Sequence, residues 1–235
     1  MGWPMKHYRQ LKNLYDGECI VVCNGPSLND VPLEFLRSRP TFGCNRITLL
    51  QSEFIPTFYS CIGANQLDTP ERRDTIYPIL DKVEYAFINR LLINEFAHYD
   101  NVYSIIGWPR STHGANSDRT KYSHDPLVWV GIGFTMTYIA LQIADYVGFT
   151  TALMVGLDHK YDMTSDRKHF YRDGEVPLFE VAPGPHGPAK WQQGCDHVFA
   201  HALVAWKAKG KKIYNLTPDS ACDVFRKHDL ARWNK

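Results

Sequence analysis

Five short constellations hold the chemically versatile residues of this 235-residue chain. Asn24-Gly25-Pro26-Ser27 follows an apolar run, and a glycine beside a small hydroxyl residue at a strand end lets backbone N–H groups approach a phosphate or nucleotide. Neither the Gly-x-Gly-x-x-Gly dinucleotide fingerprint nor a Gly-Lys-Ser/Thr phosphate loop is present. A strand-ending turn in which Ser27 or Asn29 caps a following helix would use the same residues. In Phe42-Gly43-Cys44-Asn45-Arg46, Asn45 offers a donor and an acceptor to a base or ribose, and Arg46 a charge to a phosphate. Gly131, Gly133 and Thr135 open a helical stretch, where unpaired N–H groups and the positive dipole end suit an anion; tight packing would also account for the two glycines. Val155-Gly156-Leu157-Asp158-His159 ends an apolar run in an acid and an imidazole; the carboxylate can hold a metal, a ribose or a histidine, and His159 could orient the nucleotide.

The fifth constellation is a group of histidines, the side chains suited to taking a proton near neutral pH. His169 and His197 are the candidate general bases, with Asp158 as the alternative. His186 lies among Pro183, Gly184, Pro185 and Gly187, a turn-like setting poorly suited to holding a base against a hydroxyl. His197 and His201 are four apart on one helical face, but without the glutamate of a His-Glu-x-x-His pattern no metal site is assigned to them. Tyr161 is a candidate contact to the nucleotide, and with Lys160 and Tyr171 it could stabilise a departing phosphate.

These residues need strand ends and helix starts to position them. Apolar runs of strand length occur at 18–23, 41–45, 57–61, 85–88, 102–106, 152–156 and 212–216, which predicts six or seven strands. Helical spacing lies between them, at 70–80 and most clearly at 135–146, where Ile139, Ile143 and Val147 recur every four residues. Alternating strands and helices predict an α/β fold, a Rossmann-like, mainly parallel sheet flanked by helices. The length fits one domain over residues 1–235, with a polar, Gly- and Pro-rich, lid-like insertion at about 160–195.

Composition narrows the function classes. Hydrophobic residues make up 44% and charged residues 22%, which excludes a disordered or coiled-coil chain. With 26 Lys and Arg against 25 Asp and Glu, binding to nucleic acid or membrane through bulk charge is disfavoured. No run approaches the length of a membrane span and the N-terminus has no signal-peptide core, so the expected location is the cytoplasm. The six cysteines lack zinc-site spacing and several lie in apolar runs, so buried, reduced thiols are expected.

Taken in order, Cys-Asn-Gly-Pro-Ser-Leu at 23–28, Phe-Gly-Cys-Asn-Arg at 42–46, the Gly-rich helix start at 131–135, Val-Gly-Leu-Asp at 155–158 and Ile-Tyr-Asn-Leu-Thr-Pro-Asp-Ser at 213–220 resemble one family. It is that of the bacterial sialyltransferase-like glycosyltransferases, whose pattern is shared by proteins similar to 6-hydroxymethylpterin diphosphokinase and to flagellin-modifying transferases. The resemblance covers about residues 18–228. It implies a variant of the GT-A fold that transfers a sugar from a nucleotide-sugar donor. Asn24, Gly25, Pro26 and Ser27 match the family's first nucleotide loop, and Asn45 its second nucleotide-contacting asparagine. Gly131, Gly133 and Thr135 stand where the family contacts the donor at a helix start, and a histidine near the insertion is implied as the base. The acceptor would be a polysaccharide, a protein, a lipid-linked sugar or a modified DNA base, and an oligomer is compatible with the sequence. No cofactor is firmly implied. The alternative activities are a pterin-type diphosphokinase using ATP and magnesium held in part by Asp158, and a nucleotide-binding protein without turnover.

Overall fold

The computed structural model describes residues 8–62, 69–96, 98–108, 120–126, 128–160, 168–172 and 187–233. Its centre is strand β1 (Glu18–Val22), whose apolar side chains alternate between two hydrophobic cores. Cys19 and Val21 enter one core and Ile20 and Val22 the other, so the strand is covered on both faces as its β-branched run predicts.

Seven further strands complete the sheet: β2 (Thr41–Cys44), β3 (Phe58–Cys61), β4 (Tyr85–Asn89), β5 (Val102–Ile105), β8 (Thr151–Val155), β9 (Lys212–Asn215) and β10 (Arg226–Lys227). Their order is β10-β9-β8-β1-β2-β3-β4-β5 and every pairing is parallel. A second, two-residue parallel pair joins β6 (Gly107–Trp108) to β7 (Val130–Gly131). All seven apolar runs are strands. The eighth, β10, was not expected, because its two residues are charged and exposed.

Strand order reverses between β1 and β8, and the connections change face there. Helix α1 (Leu33–Arg37), after β1, buries Phe35 and Leu36 in the core that holds Ile20. Helices α2 (Pro70–Asp74) and α3 (Tyr77–Leu80) follow β3 onto that face, breaking at Thr75-Ile76 the single helix that the spacing of 70–80 predicts. Helix α4 (Met136–Val147), before β8, and α5 (Gly187–Ala208), after it, pack on the opposite face with Val21. Right-handed crossovers require this switch of faces wherever a sheet grows in two directions from one strand.

On the α4 face an aromatic ladder crosses the strands. Phe42 stacks on Phe58 at 4.3 Å and Phe58 on Tyr85 at 4.9 Å, while Phe149 meets Phe42 edge-on. Each such pair adds about 0.5–1.5 kcal/mol beyond the area it buries. Helix α4 is tied down by two buried polar residues. The Gln142 side chain bonds the N–H and the C=O of Gly131 at 2.9 Å each, and Asp145 takes Lys209 at 2.5 Å and Lys211 at 2.7 Å.

Helix α5 begins at Gly187, so residues 187–195 of the expected insertion are the first turns of a helix. Pro188 is tolerated there because the first turn leaves its N–H groups unused. Most of the remaining insertion, with Tyr161 and His186, lies outside the described residues. All six cysteines are free and buried, and among the described residues no helix is long and apolar enough to cross a membrane.

Candidate functional site at the strand-order switch

Past β1 the chain stays in register with β8: the N–H of Cys23 bonds Val155 O and that of Gly25 bonds Gly156 O, both at 2.9 Å. Pro26 then starts a 3-10 turn over Pro26–Asp30 that lifts the chain from the sheet. Ser27 meets Asp158 from the neighbouring strand end, its hydroxyl donating to Oδ2 at 2.7 Å and its N–H to the same oxygen at 3.2 Å. Neither Ser27 nor Asn29 caps a helix. Asn29 donates instead to Phe170 O at 2.8 Å.

Gly25 is required by this junction. A Cβ there would lie 2.1 Å from Asp158 Oδ2 and 2.6 Å from Gly156 O. The sequence predicts that Gly25 lets a ligand approach the backbone; in the structure the atoms that come close are those of Asp158 and Gly156.

Two asparagines face the junction from adjacent strands. Asn24 donates its Nδ2 to Cys44 O at 3.2 Å. Asn45 sits just past β2 in the left-handed region (φ 48°), a conformation asparagine tolerates better than most residues, with its C=O accepting from the Tyr59 hydroxyl at 3.0 Å. The side-chain oxygens Asn24 Oδ1 and Asn45 Oδ1 are both buried and lack a hydrogen-bond partner among the described residues. Leaving a buried acceptor unfilled costs about 1–3 kcal/mol, which a ligand N–H or O–H would recover. Arg46, a candidate phosphate contact, is buried at 4% exposure.

The Gly-rich segment divides. Gly131 spends its N–H on Gln142, which removes that amide from an anion site, and its Cβ position is filled by Lys121 O at 2.1 Å. Gly133 takes a left-handed φ of 49°, with Tyr138 and Val198 packed against it. Both glycines are closely packed, as the other explanation of the pair expects. Thr135 caps α4, its hydroxyl accepting from Thr137 N at 3.3 Å. The Thr137 hydroxyl lies 3.5 Å from Cys23 Sγ, so the start of α4 does lie beneath the end of β1.

The two histidine candidates are separated by their anchoring. Phe170 donates its N–H to Asn24 O at 2.9 Å, bringing residues 168–172 onto the β1 loop, and the His169 ring lies parallel to that of Tyr171 at 4.8 Å. His197 is exposed on α5 and packs on His201 at 4.5 Å, which in turn contacts Thr120 O through Nδ1 at 2.6 Å. Among the described residues no hydrogen bond joins His197 to the strand ends.

One relationship was not foreseen. His159, directly after Asp158, is buried with a φ of 57° and pairs through Nε2 with Asp196 Oδ1 of α5 at 2.8 Å. Burial lowers its imidazole below the ordinary value, and the Asp196 carboxylate pulls the other way. An aspartate 37 positions away on a later helix leaves no sequence signal for this pair.

No family model and no curated protein sequence matches the chain. Solved structures do. The MAf glycosyltransferase of Magnetospirillum magneticum AMB-1 superposes with a TM-score of 0.53 at 14% identity over 90% of this chain, and a point variant of the alpha-2,3/8-sialyltransferase CstII with 0.52 at 14% over 89%. This chain spans 33% of the MAf structure and 85% of the CstII one. Both likenesses establish the α/β fold, a parallel sheet found in glycosyltransferases.

Proposed function

We propose that the protein is a glycosyltransferase that binds a nucleotide-sugar donor across the carboxyl ends of β1, β2 and β8. The observation that carries this proposal is the pair of unfilled acceptors, Asn24 Oδ1 and Asn45 Oδ1, beside a junction ordered by Asp158. In open parallel sheets ligands bind where strand order reverses, and here that point lies between β1 and β8. Two adjacent carbonyl-type acceptors suit a base amine and a ribose hydroxyl.

Transfer would proceed by direct displacement. The acceptor hydroxyl gives its proton to His169 as its oxygen bonds to the anomeric carbon, and the bond from that carbon to the phosphate oxygen breaks. Tyr171 and Lys160 lie on the segments flanking this end of the sheet and would meet the charge developing on the leaving phosphate. His169 is preferred to His197 as the base because its neighbour Phe170 is bonded to Asn24. The diphosphokinase alternative asks Asp158 to hold magnesium, which would fall to Oδ1, since Oδ2 accepts two hydrogen bonds from Ser27.

A thermal-shift panel of CMP, CDP, UDP, GDP and ATP, with and without magnesium, tests the proposal. One nucleoside mono- or diphosphate should stabilise the protein without magnesium, by about 2.7 kcal/mol at 100 times its Kd. Stabilisation by ATP alone, and only with magnesium, would overturn it in favour of the kinase.

A further inference from the structure

Three elements meet behind the β8 loop, on the side of α5. His159 follows β8, Asp196 lies on α5 and Cys222 on the segment between β9 and β10, and one ligand atom from each lies within 4.8 Å of the other two. Backbone bonds hold the first and third together. Leu157 N donates to Thr217 Oγ1 at 2.9 Å, the Ser220 hydroxyl bonds Leu157 O, Ala221 N donates to Asp158 O at 2.9 Å and Cys222 N to Ser220 Oγ at 3.2 Å.

The environment of the sulfur is the second observation. Cys222 Sγ is fully buried, which raises its pKa, and the backbone amides of Val224 and Phe225 beside it act the other way, favouring charge on the sulfur. A neutral thiol is a weak acceptor and gains little from two amides, whereas a metal-bound thiolate is stabilised by such outer donors. The left-handed backbone of His159 fits the same account, since a non-glycine residue is held there only where its surroundings demand that direction of its side chain.

We propose that His159, Asp196 and Cys222 form a binding site for a divalent transition metal of the zinc class. The mixed nitrogen, oxygen and sulfur donor set selects zinc-like ions over magnesium or calcium. Tetrahedral zinc, with bonds of about 2.0–2.3 Å, holds neighbouring ligand atoms about 3.3–3.7 Å apart, so the His159–Asp196 contact opens by about 0.5 Å to admit the ion. The Cys222 proton leaves to solvent as the metal binds. The His159 and Cys222 side chains are at most 1% exposed while that of Asp196 is 40% exposed, so the fourth position opens to solvent beside Asp196. A thiol this enclosed is no nucleophile, which argues against reading the triad as a Cys-His-Asp catalytic group. The site joins β8, α5 and the β9–β10 segment, and it stands independently of the transferase proposal.

Titration of the chelator-stripped, folded full-length protein with Co²⁺ tests it, read by the thiolate-to-cobalt charge-transfer band and by competition with Zn²⁺. One equivalent should saturate the band and zinc should displace it. Cys222→Ser should abolish the band. Asp196→Asn, at a half-exposed position that should not disturb folding, should weaken binding beyond the roughly 10–100-fold typical of losing an outer-shell partner. Absence of the band from folded protein, its persistence in Cys222→Ser, or undiminished affinity in Asp196→Asn would each overturn the site.

Discussion

Asp158 Oδ2 accepts both the hydroxyl of Ser27, at 2.7 Å, and its backbone N–H, at 3.2 Å, joining the ends of β1 and β8 where the strand order reverses. The two residues are 131 positions apart, yet they fix the shape of one loop. Removing the hydroxyl with Ser27→Ala should cost about 1.5–3 kcal/mol, the range for hydrogen bonds to charged groups. Urea denaturation of Ser27→Ala, Asp158→Asn and the double variant checks this. The double-mutant cycle should show a coupling of about 0.5–3 kcal/mol, and purely additive effects would contradict the contact.

Gly25 is expected to matter to the fold before it matters to a ligand. A Cβ 2.1 Å from Asp158 Oδ2 and 2.6 Å from Gly156 O cannot be absorbed by side-chain movement alone, because one of those atoms is backbone. Gly25→Ala should therefore lose about 1–3 kcal/mol of unfolding free energy, the usual range for overpacking. A variant with wild-type stability and weakened nucleotide binding would instead assign the glycine to ligand approach.

The sequence made the sheet legible and left the junction hidden. Seven of eight strands are apolar runs because strands covered on both faces must be apolar throughout. The period-four spacing of Ile139, Ile143 and Val147 likewise marks α4. Strand β10 escaped because Arg226 and Lys227 extend an exposed edge and carry no burial signal. The start of α5 reads as irregular chain because Gly187 and Pro188 resemble loop residues, although Cys195, Val198, Phe199, Ala202, Ala205 and Trp206 follow helical spacing. Asn24, Ser27, Asn45 and Asp158 could be nominated from their places at strand ends. The bond between Ser27 and Asp158, and the pairing of His159 with Asp196, depend on contacts between distant segments that no local pattern encodes.

Alkaline pH should weaken the fold through its buried thiols. Burial pushes the thiols of Cys44 and Cys61 from 9.0 up to about 12. Between those values the folded state keeps both protons while the unfolded chain releases them. Stability is therefore fully present below pH 9.0 and is lost as pH rises toward 12, by up to about 1.4 kcal/mol per pH unit for each thiol. Denaturation midpoints from pH 8 to 11 measure this slope, and Cys44→Ala should reduce it.

The histidines are separated by kinetics. His169→Ala should lower kcat by about 10²–10⁴ with donor affinity little changed, because base catalysis acts in the transition state. His197→Ala should leave turnover close to wild type. Full turnover in His169→Ala with a large loss in His197→Ala would reverse the assignment.

Magnesium should be dispensable for transfer, since no Asp-x-Asp pair of the kind that holds a metal follows a strand. Initial rates with and without added magnesium should agree within a factor of two or so, far from the large loss expected of an enzyme that clamps phosphates through the ion. Activity strictly dependent on added magnesium would favour the diphosphokinase.

The central claim is that a nucleotide fills the acceptors Asn24 Oδ1 and Asn45 Oδ1, and calorimetric titration of Asn45→Gly tests it most directly. Glycine satisfies the φ of 48° at that position, so the substitution removes the amide without straining the backbone. The nucleotide that stabilises the wild-type protein should bind Asn45→Gly about 10-fold more weakly, within the roughly 1–3 kcal/mol lost when a buried polar group is left without its partner. Equal affinity for the folded variant and the wild type would contradict nucleotide binding at the strand-order switch.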